Sequence, residues 1–273
     1  MLRLGERCLV MGILNVTPDS FADAGVLREP ADAVAAALRM QADGADLIDL
    51  GGESTRPGAN PIDAATELAR VMPVLEALAG RLTVPISIDT YKSEVAGAAC
   101  KAGAVIVNDV SGLRNDPALA RTVADAGAAL IVMHGRGSSK TMYAEARYDD
   151  VAAEVAAELK DSIRLAVEAG VPFERIIVDP GIGFAKQRAH SYGVLARLGD
   201  IAGALDRPLL AGPSRKSFLQ DALGGRPAPA RDWGTAAAVT AAVLAGAHIV
   251  RVHAVAEMTQ VVRVADELRK YMT

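Results

Sequence analysis

One arrangement recurs along the chain and limits the folds open to it: a helix-like run, a small turn carrying glycine, then an apolar run ending in polar residues. It appears around Gly44 (running to Asp49), Gly103 (to Asn108 and Asp109), Gly127 (to His134), Gly170 (to Asp179) and Gly246 (to Arg251 and His253). Glycine suits the left-handed cap that ends a helix before a strand, because it has no Cβ to clash there. The apolar runs, such as Ile176-Ile177-Val178 before Asp179, do not alternate with polar residues. Strands of that kind are covered on both faces, as in parallel sheets. Cys8–Leu14, Val84–Asp89 and Pro208–Leu210 supply further strands without the glycine cap.

Eight strands alternating with helices over 273 residues predict an α/β fold: a single (β/α)8 TIM barrel spanning residues 1–273, with long loops after strands one and two. The alternative is a doubly wound open sheet, whose site would lie where the strand order reverses.

Composition excludes more than it assigns. With 51% hydrophobic residues the chain can bury a large core, and a net charge of −4 gives no reason to expect nucleic acid. Aromatic residues are only 4%, too few for a base-stacking platform. Cys8 and Cys100 read as buried thiols in a reducing compartment. The apolar tract Thr235–Val250 is broken by Gly246, carries His248 and runs into Arg251, so it reads as a helix and a strand, not a membrane span. The short apolar run before Asn15 lacks a cleavage-type sequence, and no signal peptide is expected. A cytoplasmic enzyme with no membrane partner is the expectation.

Barrel enzymes keep their chemistry at the C-terminal ends of the strands. Strand one ends at Asn15 and is followed by a long segment through Phe21 and Ala22-Asp23-Ala24-Gly25, a length that suits a lid. The Asn15 amide could hold a Mg²⁺ shared with phosphate oxygens, or simply shape an Asx turn. Strand two opens into Gly51-Gly52-Glu53-Ser54-Thr55-Arg56, where Thr55 and Arg56 offer a hydroxyl and a guanidinium to phosphate. Asp49 at that strand end reads as a hydrogen-bonded residue of the barrel mouth.

Asp89, Asn108 and Asp179 close three strands. Any one of them could cap the next helix, but three would converge at one mouth. Such a ring of acceptors suits a flat heterocycle bearing amino and N–H donors, since a carboxylate accepts two parallel hydrogen bonds from a 2-amino-pyrimidinone edge. His134 reads as a ligand, an acid or a satisfied core residue. A metallohydrolase would want His-x-His on strand one and more than the four histidines present.

After strand seven comes Gly212-Pro213-Ser214-Arg215-Lys216-Ser217-Phe218, where barrels often bind anions. Basic residues in the first turn of the helix expected there would oppose its dipole, so Arg215 and Lys216 are expected to face a bound anion or carbonyl. Ser217 could hold a smaller carboxylate. On strand eight Arg251 and His253 fall on one side, two cationic-capable groups suited to a polyanion; an Arg paired with a nearby Asp is the alternative.

Seven segments, ILNVTPDSF, GGESTRPGA, SIDT, VNDVSG, DPGIGF, GPSRKSF and RVH, stand in an order and spacing that resembles dihydropteroate synthases across essentially the whole chain. That resemblance implies condensation of dihydropterin-hydroxymethyl diphosphate with 4-aminobenzoate, with Mg²⁺ as cofactor and a homodimeric assembly. It also implies roles. Asn15 matches the Mg²⁺ ligand, and Thr55 and Arg56 the diphosphate loop. Asp89, Asn108, Asp179 and Lys216 match pterin contacts, and Ser217 helps hold the aminobenzoate carboxylate. Arg251 and His253 match the diphosphate end, and Asp89, Lys216, Arg251 and His253 would carry catalysis. The chain departs from the family pattern at Ala22-Asp23-Ala24-Gly25, at Gly135, where a larger residue is usual, and at Ala254, where Asp is common. A corrinoid-linked pterin methyltransferase and a non-catalytic pterin-binding protein are the rival readings.

Overall fold

Eight successive strands pair in parallel in one row, from the sixth back to the first and then through the eighth to the seventh. The ends of that row meet through a parallel bridge between Val178 and Leu209, with the Val178 N–H donating to the Pro208 carbonyl at 2.9 Å, and the sheet closes into the expected (β/α)8 barrel. The structure is a computed structural model and describes residues 3–17, 29–56 and 58–272. The lid expected at Ala22-Asp23-Ala24-Gly25 lies outside the described residues.

The strands are β1 (Leu9–Asn15), β2 (Leu47–Gly51), β3 (Ile86–Asp89), β4 (Ile106–Asp109), β5 (Ala129–Met133), β6 (Ile176–Asp179), β7 (Leu210–Ala211) and β8 (Ile249–Val252). Among the described residues nine α-helices surround them: α1 (Pro30–Ala42), α2 (Ala64–Leu78), α3 (Ser93–Lys101), α4 (Leu119–Ala126), α5 (Val151–Glu168), α6 (Arg188–Ala196), α7 (Leu198–Leu205), α8 (Asp232–Leu244) and α9 (Val255–Arg269). All five glycines expected to end helices have positive φ, from 64° at Gly127 to 111° at Gly103.

Strand periodicity positions the site. Leu9, Met11, Leu47, Ile106, Ile131, Ile177, Leu210 and Ile249 form a small apolar cluster of their own, the plug inside the barrel. The alternate residues Val10, Ile48, Ile88, Val107, Leu130, Val178 and Val250 join the larger cluster beneath the helices. Continuing the inward phase by steps of two reaches Asp49, Asn108, Asp179 and Arg251. Each inward column is thus apolar at the bottom and polar at the top.

Two expectations are corrected. Strand seven was expected at Pro208–Leu210, but the ladder runs over Leu210–Ala211, because Pro208 has no N–H to give and contributes only its carbonyl. The helix expected after Gly212 is a single 3₁₀ turn, Ser217–Leu219, too short for the dipole argument made for Arg215 and Lys216.

Candidate active site

A cavity of about 670 Å³ opens at the C-terminal ends of the strands. Asn15, Thr55, Arg56, Asp89, Lys216, Ser217, Arg251 and His253 line it. Asn108 and Asp179 are buried beside these residues, so the ten expected site residues gather at one end of the barrel.

Asp49 organises the floor. It is fully buried, and its Oδ2 accepts from Asn108 Nδ2 at 2.9 Å and from Arg251 Nε at 2.6 Å. Arg251 Nη2 then donates to Asp89 Oδ2 at 2.7 Å, so one guanidinium bridges acids from β2 and β3. The Arg–Asp alternative raised from the sequence is therefore present, inside the site. Asp49 Oδ1 and Asp89 Oδ1 are buried without a hydrogen-bond partner among the described residues. Burial, reinforced by Asp49, Glu67 and Asp109, pushes the Asp89 carboxyl up to about 8 against the pull of Arg251.

Asp179 lies across the floor, with Oδ1 accepting from the Gly181 N–H at 2.8 Å. Burial raises its pKa while Lys216 and Arg251 oppose that rise. Lys216 donates to the Ile182 carbonyl and holds its ammonium 4.5 Å from the Phe184 ring centroid, a cation–π distance. Burial lowers its pKa to about 8, with Asp179 resisting. Arg215 is not offered to an anion as expected: Nε and Nη2 clamp the Asp232 carboxylate at 2.7 Å each, while its backbone N–H donates to Thr235 Oγ1 at 3.0 Å. These contacts hold Arg215 at φ +57° between Ser214 and Lys216.

His253, one of the two cationic-capable groups expected on strand eight, lines the cavity as a neutral ring. Burial and the nearby Arg215, Arg251, Arg56 and Lys216 push its pKa down to about 3, so the imidazole is neutral at physiological pH. Ser214 Oγ accepts from the His253 N–H at 3.2 Å and lies 2.9 Å from Nδ1. That contact ties the Nδ1 side of the ring to Ser214 and leaves Nε2 as its other polar atom.

Loop polarity at Glu53 also has a cause. Its carboxylate accepts from Tyr91 Oη at 2.8 Å and from Lys92, which also pairs with buried Glu67 on α2. Glu53 thereby anchors the strand-two loop that presents Thr55 and Arg56. His134 is a buried residue, bonded to Lys186 and Glu158. Gly135 leaves space taken by Arg114, whose Nη2 lies 3.1 Å from where a Cβ would stand. Ala254 is the N-cap of α9 and supplies no side-chain cap, which an Asp would. Sequence reasoning missed Ser214, Asp232, Thr235, Lys92 and Lys186; GPSRKSF held one signal, since its serine sits beside two cations.

Comparison with known proteins decides the family. A family model described as "Pterin binding enzyme" matches residues 11–253. The dihydropteroate synthase of Synechocystis is 44% identical over 264 residues, covering 97% of this chain and 91% of that protein. The chain belongs to the dihydropteroate synthase family. Two solved members overlay it closely. The Yersinia pestis enzyme in a sulfonamide complex has a TM-score of 0.93 at 40% identity, covering 99% of this chain and 96% of that one. The Xanthomonas albilineans enzyme with 7,8-dihydropteroate has a TM-score of 0.86 at 39% identity, covering 97% and 94%. As a dihydropteroate synthase the chain is a transferase of folate synthesis, and the two rival readings fall away.

Proposed function

We propose that this cavity binds (7,8-dihydropterin-6-yl)methyl diphosphate at its floor and 4-aminobenzoate at its rim, and joins them as 7,8-dihydropteroate. The observation that carries this assignment is the polarity of the cavity. Buried carboxylates with unfilled acceptor positions lie at the floor beside Arg251, and Thr55, Arg56 and the neutral His253 line the same cavity. Leaving a buried acceptor unpaired is costly, so the floor selects a heterocycle that brings donors.

In this reading Asp179 and Asn108 hold the pterin edge, and Lys216 donates to a ring acceptor. The methylene C–O bond breaks with its electron pair leaving on the diphosphate. Thr55, Arg56, Arg251 and His253 stabilise the charge that develops there. Arg251 serves both ends, with Nε and Nη2 committed to the acids and Nη1 directed to the leaving group. Asp89, drawn toward its ionised form by Arg251, stabilises the positive charge left on the pterin. The aminobenzoate, held by Ser217 through its carboxylate, then supplies its nitrogen lone pair to the methylene and loses a proton to solvent or diphosphate. Orientation matters more than a strong base for a neutral arylamine.

Mg²⁺ fits the donor set. Among the described residues no three His, Cys, Asp or Glu side chains cluster as a metal site, but Asn15 brings an uncharged oxygen to the cavity beside Gly51 and Asp89. This ion takes few protein ligands and many from water and phosphate, and bound there it would supply charge neutralisation to the leaving diphosphate.

No described helix is long and apolar enough to cross a membrane. A cytoplasmic homodimer completes the proposal. Trp233 (88% exposed), Val264 and Leu268 on the neighbouring helices α8 and α9 are apolar surface for a second copy, which sedimentation would detect.

The deciding experiment is diphosphate release with Mg²⁺, the pterin diphosphate and 4-aminobenzoate. Release that depends on the amine supports the assignment; pterin binding without it overturns the assignment. Asp179→Ala should lose pterin binding and Lys216→Ala most turnover.

A further inference from the structure

Beneath the site lies a second ionic cluster, buried at Lys186 and His134 and reaching solvent at Glu158, that the chemistry above does not use. Lys186 is only 2% exposed and is among the largest fully buried side chains of the protein. Its ammonium lies 2.7 Å from His134 Nδ1 and 3.2 Å from the Phe184 carbonyl. His134 Nε2 lies 3.0 Å from Glu158 Oε2, and Glu158 is held in turn by Arg136. The ionised Glu158 carboxylate can only accept, so the imidazole proton sits on Nε2, directed at Glu158, and Nδ1 accepts from Lys186. Burial keeps His134 neutral, with a pKa near 4, which fits that tautomer.

The segment above this cluster, Gly181–Ala185, carries the site. Gly181 donates to Asp179, Ile182 accepts from Lys216, and the Phe184 ring lies under the Lys216 ammonium. The segment is strained and tightly seated. Ala185 sits at φ +47°, and a Cβ on Gly181 would fall 1.9 Å from the His134 carbonyl. Three tethers hold it and the Asp179 that precedes it: Lys186 to the Phe184 carbonyl, Tyr148 Oη to the Ala185 carbonyl at 2.9 Å, and the His134 N–H to the Asp179 carbonyl at 2.8 Å.

We propose that Lys186 is a positioning residue for pterin binding: hydrogen-bonded to His134 and to the Phe184 carbonyl, it fixes the Gly181–Ala185 segment and so sets the placement of Asp179 and Lys216. It touches no substrate itself. Burial lowers its pKa to about 7; Asp179 above and Glu158 beyond His134 resist that fall, and Lys216 and Arg136 add to it. A misplacement of about 1 Å in a preorganised site costs on the order of 10²-fold, so losing one of three tethers is expected to be visible in binding. The inference rests on the pterin-pocket reading of Asp179 and Lys216.

The test is calorimetric titration of (7,8-dihydropterin-6-yl)methyl diphosphate into Lys186→Met, with steady-state kinetics alongside. In a variant that keeps a cooperative melt, the pterin Kd should rise tenfold or more while the KM for 4-aminobenzoate stays within twofold. A merely structural lysine would lower the melting temperature and leave that split unseen. An unchanged pterin Kd in folded Lys186→Met overturns the inference when Asp179→Asn still weakens binding. An unchanged Kd in Asp179→Asn overturns the pterin-pocket reading, and this inference with it. If Lys186→Met does not fold, Glu158→Leu takes its place. It removes the acceptor that orients His134, should raise the pterin Kd at least threefold, and overturns the inference if it does not.

Discussion

Asp49 and Arg251 stand 202 residues apart in sequence and meet at 2.6 Å on the barrel floor, where Asp49 is fully buried. The same carboxylate oxygen takes the Asn108 amide. Asp49→Asn removes one of the two acids facing Arg251 and leaves Asp89 to hold the guanidinium alone. Removing one partner of a buried ion pair costs roughly 3–5 kcal/mol where nothing replaces it, and Asp89 offsets part of that. The expected result is a kcat/KM for the pterin diphosphate lowered on the order of 10²-fold, about 2.7 kcal/mol. Kinetics within threefold of the parent would remove Asp49 from this account.

Ser214 holds the Nδ1 side of His253 at 2.9 Å, and Ser214→Ala frees the ring to turn. About tenfold is expected off kcat, the size of a weakened hydrogen bond to a developing anion. Binding of 4-aminobenzoate should stay unchanged. A fall confined to aminobenzoate KM would show that His253 serves the amine end.

Two glycines give opposite expectations for alanine. At Gly181, with φ +67°, the new Cβ meets the His134 carbonyl at 1.9 Å, and Gly181→Ala should destabilise by roughly 3 kcal/mol or more or fail to fold. Gly203 lies within α7 with nothing within 4 Å of its added Cβ, so Gly203→Ala should stabilise by about 0.5–1 kcal/mol. Urea melts of the two variants check both signs.

Acid should destabilise the protein well above the usual carboxylate range. His134 is buried neutral with its pKa lowered from 6.5 to about 4, so the unfolded chain binds the extra proton between those values. The His134 contribution is therefore full above pH 6.5 and falls as pH drops toward 4; at ~1.4 kcal/mol per unit it amounts to on the order of 3 kcal/mol. His134→Gln should flatten that part of the pH–melting curve. An unaltered slope would mean that other groups bind the proton.

The barrel and the gathering of its site were legible because both follow from strand periodicity. Glycine caps and unbroken apolar runs marked the strands, and steps of two from Leu47 or Ile177 lead to Asp49 and Asp179. The states of those residues were not legible, because they depend on neighbours distant in sequence. Arg215 looked like an anion ligand until Asp232, seventeen residues on, took its guanidinium. His253 looked like a cation, and burial among four real cations makes it a neutral ring. Lys186 lies within reach of the DPGIGF motif, yet nothing local says that its ammonium turns inward to His134 rather than outward to water.

The meeting of β6 with β7 has a consequence for how substrate gets in. A two-residue strand and one bridge at Val178 form the thinnest seam in the wall, immediately below Asp179. Local opening there breaks few hydrogen bonds, so the Val178 amide should exchange with solvent faster than its counterparts in β1 and β2. Pterin held by Asp179 would lace that seam shut, and slowed exchange on ligand addition would record the barrel tightening around its guest.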